Sequence, residues 1–313
     1  MINDALRKAR LSISIKEKAK ELGFFDCGIS QAKHLSQDEQ RMEIWLKKGM
    51  NGEMKYLEKN RDKRYDPTLL VEGAKSVVSV LYNYKPKETL PEKNNFKIST
   101  YAYGKDYHQV IKKKLKQLVT FIEEMSGQHS YRLFVDSAPV LDRAWAHLGG
   151  LGFIGKNTCL INRKGGSWFF IGHIIIDLEL EYEKKEPEKN FCGNCTLCLQ
   201  ACPTGALKPF ELDARKCISY LTIEYRGEIP DEFKAKFDNW IFGCDICQQV
   251  CPWNRDVIPH HEPSFEPSDE LKKMGKSDWL SLDVKRFNNI FRESAVKRAG
   301  FGNIKRNIRF VDE

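Results

Sequence analysis

Residues 191–207 read FCGNCTLCLQACPTGAL, and residues 242–255 read FGCDICQQVCPWNR. The first stretch spaces four cysteines as Cys192-x2-Cys195-x2-Cys198-x3-Cys202-Pro203. In that spacing three thiolates on a tight loop hold three irons of a four-iron cubane, and the fourth cysteine, past the turn, reaches a second cluster. A zinc site would use paired Cys-x2-4-Cys knuckles and would not need the following Cys-Pro; it stands as the alternative. The second stretch repeats the pattern with one gap: Cys244-x2-Cys247-x3-Cys251-Pro252, with Ile241 where a cysteine would complete it. Cys217 lies between the runs and can fill the gap. Crossed ligation then assigns Cys192, Cys195, Cys198 and Cys251 to one [4Fe-4S] cluster, and Cys202, Cys217, Cys244 and Cys247 to the other. A three-iron second cluster, with Cys217 merely buried, is the other possibility. Of the ten cysteines, Cys27 and Cys159 are left over and read as small core residues.

The rest of the chain frames this region. Its 313 residues suggest about two domains. Hydrophobic residues at 41% and charged residues at 30% support a packed core and argue against disorder. The longest charge-free apolar stretch, Gly165 to Ile176, is 12 residues, short of the roughly 20 that a spanning helix needs. No membrane association is expected. The N-terminal MINDALRKARLSISIKEKAK carries charges every few residues and no apolar signal core. A cytoplasmic, reducing location follows as the expectation, and there clustered cysteines are ligands more often than disulfides. Neither a dinucleotide-binding glycine fingerprint nor a Walker A loop occurs, so the clusters' single electrons must pass to another cofactor or protein.

Periodicity predicts helices over Asp4–Leu22, Gln37–Lys48, a short one in Gly52–Asn60, then His108–Met125 and Leu141–Leu148. In the fourth, Ile111, Leu115, Leu118, Val119 and Ile122 share a face. Strands are predicted over Val77–Tyr84 and Tyr131–Val135, with a hairpin joining Thr158–Asn162 to Ser167–Leu178. The fold class is α+β. The charged, Pro187-containing stretch Glu179–Asn190 reads as a divide, giving domains 1–183, 184–256 and a helical, basic segment 257–313. From Lys285 to Arg309 eight Lys and Arg face one acid, Glu293, with Phe287, Phe291, Phe301 and Phe310 interleaved. Such a mixture suits a nucleic-acid backbone with some base stacking, although it is also the composition of a solvated face.

Three features of the N-terminal part carry candidate chemistry. Asp136 ends a predicted strand in FVDSAPVLDRA, a position from which active-site loops emerge, or one that merely caps the next helix. Asp106-Tyr107-His108 opens a helix and reads as a cap with a surface histidine. The glycine-rich run from Gly149 to Thr158 either admits a large ligand close to the backbone or is a tight turn.

Together, SVVSVLYNY (76–84), YAYGKDYH (101–108), VDSAPVLDRAWA (135–146), GLGFIGKNTCLI (150–161), GSWFFIGHIIIDLEL (166–180), CISYLTIEYRGEIP (217–230) and the two cysteine stretches resemble the epoxyqueuosine reductase family of tRNA queuosine biosynthesis. The resemblance covers most of residues 70–255. It implies an N-terminal α/β cobalamin-binding domain similar to that of reductive dehalogenases, followed by a ferredoxin-like domain with two [4Fe-4S] clusters. Cobalamin would be bound with its own base detached. Asp136 would be the proton donor, and Asp136, Asn157, Leu160, Ser219, Asp245 and Ile246 would line the corrin. The implied reaction is reduction of the epoxide of epoxyqueuosine at the wobble position, the last step to queuosine. A reduced cobalt would open the ring, an acid would protonate the alkoxide, and elimination would leave the alkene. The partners implied are a tRNA with a GUN anticodon and a low-potential electron donor of unspecified identity, acting on a monomer. Many members continue into a helical-repeat extension that helps grip tRNA; the sequence here stops at Glu313, so the basic segment would serve instead. Tyr101 and Tyr103 stand where members often have Arg before Gly104. The rival readings are a cobalamin-dependent dehalogenase acting on a small molecule, a two-cluster electron-transfer protein, and a tRNA-binding protein with structural clusters.

Overall fold

Two eight-residue apolar runs form the centre of the main sheet. SVVSVLYN makes β2 and FFIGHIII makes β4 in a four-stranded antiparallel sheet of β1 (Asp26–Gln31), β2 (Ser76–Asn83), β3 (Tyr131–Phe134) and β4 (Phe169–Ile176), in the order β1-β2-β4-β3. Both strands are buried on both faces along most of their length, and they take central places with layers on either side. The structure, a computed structural model, describes residues 2–184 and 191–313. Pro187, the expected divide, lies outside the described residues.

One face of the sheet is covered by the helices Ile2–Glu21 and Tyr107–Ser126. Their residues Ile15, Ala19, Ile111, Leu115, Leu118 and Ile122 pack on Val78, Val80 and Ile174. The predicted helical face of the second of these is the buried one. The opposite face is covered by the helix Asp142–Leu148, whose Trp145 packs with Val77, Phe134 and Ile175.

Local readings fail in three places. The Thr158–Asn162 segment does not pair with β4; Leu160–Ile161 pairs with Phe153–Ile154, and only the bridge Asn162↔Gly166 closes the turn before β4. The central position of β4, flanked by β2 and β3, leaves it no free edge for a hairpin partner. Gly52–Asn60 holds only the 3-10 turn Lys55–Leu57, and the next α-helix is Arg61–Tyr65. β1, DCGISQ, has little strand propensity and is held by its ladder to β2. Its Gly28 faces Gly149: a Cβ there would lie 1.8 Å from the Gly149 carbonyl oxygen. The glycine lets the helix Asp142–Leu148 end against the strand.

The C-terminal segment forms a second core with an N-terminal excursion. Phe96, Ile98, Ala102 and Tyr103 pack with Trp279, Phe287, Phe291 and Ile304, and Lys97–Ile98 pairs in parallel with Trp240–Phe242. The helix Phe301–Asp312 docks by buried polar groups. Arg306 donates to the carbonyls of Leu221, Tyr225 and Gly227, and Asn307 Nδ2 to those of Thr222 and Ile241. No helix among the described residues is long and apolar enough to cross a membrane.

Candidate functional site

Asp136 sits two residues beyond β3, with a left-handed φ of 49°. A non-glycine residue held there is constrained by its surroundings. The constraint comes from His173 on β4. Its backbone pairs with Phe134 before the loop, and its buried ring reaches Asp142 after it, with Nε2 and Oδ1 3.3 Å apart. Ser79 Oγ lies 2.9 Å from the ring's other nitrogen. One residue thus flanks the loop at both ends, before it through its backbone and after it through its ring. The following helix has Leu141 as its N-cap and no side-chain cap, so Asp136 is not a helix cap. Its Oδ2 instead accepts a 2.6 Å hydrogen bond from the Tyr107 hydroxyl.

Tyr107 is fixed by stacking on Phe170, with centroids 4.1 Å apart, and on His108 at the same distance. Asp106 caps the helix by accepting from His108 N, and its carboxylate also meets His108 Nδ1 at 2.6 Å. Asp106-Tyr107-His108 therefore does more than start a helix: it presents the tyrosine to the acid. Asp136 is exposed to solvent at one side, yet protein crowds its carboxyl. Burial pushes its carboxyl above the ordinary aspartate value and the charge of Asp142 adds to this, while Tyr107, His108 and Arg298 pull the other way. Arg298, within electrostatic reach of Asp136, bonds Glu224 at 2.8 Å. Half-buried Tyr101 lies within electrostatic reach of both Asp136 and Asp245, and burial of its hydroxyl raises its pKa.

The remaining predicted wall residues divide by what their side chains do. Asp245 is buried, and its carboxylate accepts from Ser99 Oγ, from Thr100 N at 2.8 Å and from Thr100 Oγ1 at 3.0 Å. That side chain is spent on holding the Ser99–Thr100 turn against the cysteine region. Asn157 is buried between the cysteine runs; its Oδ1 accepts from Cys159 N, and its Nδ2 donates to the Cys247 carbonyl at 3.4 Å. Leu160 packs with Leu81, Ala146 and Leu151. Ser219 and Ile246 direct their backbone N–H groups at the thiols of Cys217 and Cys244. In the glycine-rich run, a Cβ on Gly152 would fall 2.5 Å from the Ile161 carbonyl oxygen. Protein packing is sufficient reason for that glycine, which favours the turn reading.

Cys192, Cys195, Cys198 and Cys251 line one cavity of about 280 Å³, together with Lys156, Asn157, Phe191 and Trp253. Cys244 lies within electrostatic reach of Cys202 and Cys217, and Cys247 of Cys217 and Cys244. A zinc ion would draw its sulfurs to about 2.3 Å from one point. The first four thiols are spread around the walls of one cavity. Backbone N–H groups point at the thiols of Cys198, Cys217, Cys244 and Cys251, the donors that Fe–S loops use to tune a cluster. The donor set fits cubanes. Cys159, read as a core residue, touches Cys247. Tyr107 and Lys156 were not legible as site residues, because their roles depend on a stack and a loop contact formed only in the fold.

Residues 64–137 match the family model described as Epoxyqueuosine reductase QueG, DUF1730, and residues 191–254 match the 4Fe-4S double cluster binding domain. The chain is 52% identical over 305 residues to an epoxyqueuosine reductase of Cellulophaga algicola, covering 97% of this chain and 99% of the relative. It is 42% identical to that of Pseudomonas aeruginosa, over 96% of this chain and 84% of the relative. A crystal structure of an epoxyqueuosine reductase with an epoxyqueuosine-modified tRNA-Tyr stem loop superposes with a TM-score of 0.87 at 32% identity, covering 96% of this chain and 80% of that one. A Bacillus subtilis epoxyqueuosine reductase, captured with its catalytic aspartate loop swung out of the active site, superposes at 0.83 with 30% identity and the same coverage. Reductive dehalogenases align only at 16% identity and a TM-score of 0.47, a likeness too slight to carry an argument. Identity at this level over nearly the whole length of both chains leaves one conclusion: the chain belongs to the epoxyqueuosine reductase family.

Proposed function

We propose that this protein reduces the epoxide of epoxyqueuosine in the tRNA wobble position to queuosine, with Asp136 as proton donor. The observation that carries the reading is the 52% identity over 97% of the chain, a span that takes in Asp136 and all eight clustered cysteines. When bound, base-off cobalamin supplies a strong reductive nucleophile, and the two [4Fe-4S] clusters supply single electrons. The chain's own part is position, exclusion of water and a proton. With Oδ2 of Asp136 held by Tyr107, Oδ1 is the oxygen left to carry the proton to the opened ring. After the transfer, the Tyr107 hydroxyl, His108 and Arg298 stabilise the carboxylate that remains. Cys192, Cys195, Cys198 and Cys251 hold one cluster; Cys202, Cys217, Cys244 and Cys247 hold the other. Asn157, Leu160, Ser219, Asp245 and Ile246 would line the space between clusters and corrin, Asp245 through its backbone and the turn it fixes. The test is anaerobic incubation of reconstituted protein with reductant, cobalamin and epoxyqueuosine tRNA, followed by nucleoside mass analysis; absence of queuosine from a fully loaded protein would refute the activity.

The acid must be protonated to act, so activity is expected to fall as pH rises through the raised pKa of Asp136. Asp142→Asn removes a neighbouring negative charge while keeping a polar partner for His173, so the alkaline limb of the pH–rate profile should move to lower pH. An unmoved limb in the Asn variant would separate Asp142 from the acid.

The basic segment contributes less free charge than its composition suggests. Arg306 is buried, Arg286 pairs with Glu270 and Asp278, Arg298 with Glu224, and Lys305 donates to the Leu280 carbonyl. Lys285, Arg292, Lys297 and Arg309 stand exposed. Truncation before Lys285 would strip the second core, so point changes are the cleaner probe. Neutralising these four should flatten the salt dependence of tRNA binding, by at most about 0.9 in log–log slope for each phosphate that one of them neutralises. An unchanged slope by filter binding across salt concentrations would place the tRNA elsewhere.

A further inference from the structure

Lys156 is 9% exposed, and no other lysine among the described residues is as deeply set. Its ammonium donates to the carbonyls of Gly193 at 2.7 Å and Cys195 at 2.9 Å, both in the Cys192–Cys195 turn. Its side chain lines the same cavity as Cys192, Cys195, Cys198 and Cys251. In the second run, the Cys244–Cys247 turn holds the buried acid Asp245. A cubane held by four thiolates is anionic in both of its working states and gains one further negative charge when a low-potential donor delivers an electron. A fixed positive charge beside it stabilises the reduced state more than the oxidised one, and within the protein that attraction escapes most solvent screening.

We propose that Lys156 sets the reduction potential of the cluster ligated by Cys192, Cys195, Cys198 and Cys251, making it the more easily reduced of the two, so that a single arriving electron rests there. The inference rests on the reading of these cysteines as cluster ligands and is independent of the tRNA substrate. Lys156 acts through the cluster and its loop, as a positioning residue whose charge carries the effect.

The test is an anaerobic redox titration of reconstituted, full-length protein followed by EPR, on wild type, Lys156→Gln, Lys156→Met and Lys156→Arg, with iron and sulfide content measured first. Loss of the charge should weaken reduction of one cluster about tenfold, or about 59 mV for a one-electron couple, leaving the other cluster unmoved. Lys156→Arg should keep the wild-type potential. Arg163 is exposed over the ring of Phe191, which lines the cavity, and Arg163→Ala should shift nothing, because water screens it. The proposal is overturned if the Gln and Met variants hold both clusters at wild-type potentials. It is equally overturned if both variants assemble without the first cluster, since Lys156 would then only brace the loop. A wild-type protein that binds no cubanes would instead refute the ligand assignment itself, a failure that iron analysis distinguishes from the other two.

Discussion

Asp136→Asn is expected to slow conversion of epoxyqueuosine tRNA by about 10²–10⁴-fold, the range for losing a positioned general acid. The amide is nearly isosteric, and its oxygen can still accept from Tyr107, so the left-handed loop pinned by His173 should keep its shape. Only the transferable proton is lost. Iron content, corrin absorbance and tRNA affinity should all match wild type, and single-turnover rates should carry the whole deficit. A variant that turns over at the normal rate with its cofactors intact would remove Asp136 from the chemistry. Tyr107→Phe, by contrast, leaves the acid present and unsupported, so a much smaller loss is expected there.

The second large effect concerns ligation. Cys251→Ala should empty the cluster held by Cys192, Cys195 and Cys198, although Cys251 belongs to the other run in sequence. Cys202→Ala should empty the opposite cluster. Each variant should retain about four irons per chain and one of the two cluster signals. The geometry behind the expectation is the shared cavity of Cys251 with the first three cysteines, and the reach of its thiol to Cys192 and Cys198. If each run instead served its own cluster, the two variants would lose the reverse clusters, and EPR on singly loaded protein would reveal it.

The parts of the fold that are legible in the sequence are those whose signal is local. The spacing of Ile111, Leu115, Leu118, Val119 and Ile122 declares a buried helix face, and the β-branched, aromatic run Val77–Tyr84 declares a strand, observed over Ser76–Asn83. β1 is invisible there, because DCGISQ is a strand only by virtue of its partner. The false hairpin before β4 comes from reading Arg163–Gly166 as a turn without knowing that β2 and β3 occupy both edges of β4. The same division runs through the site. Cysteine spacing is a local code and can be read directly. Asp136 draws notice by its place at a strand end, but its hydroxyl partner lies 29 residues earlier on a helix. Asp245 is expected as wall, and its carboxylate is instead tied to Ser99 and Thr100, a contact across 145 residues or more that no short window contains.

The docking of the helix Phe301–Asp312 bears on how the protein is made. The guanidinium of Arg306 and the amide of Asn307 serve backbone carbonyls at Leu221, Thr222, Tyr225, Gly227 and Ile241, the segments that flank Cys217 and Cys244. Synthesis runs in the other direction: the cysteine loops leave the ribosome before the helix that satisfies their neighbours. Translation therefore delivers the thiols before their scaffold, and an interval separates them in which they are chemically competent but structurally unsupported. Whatever inserts iron and sulfide into this chain meets either loose thiols or a finished clasp, and the length of that interval is set by the pace of elongation rather than by the clusters themselves.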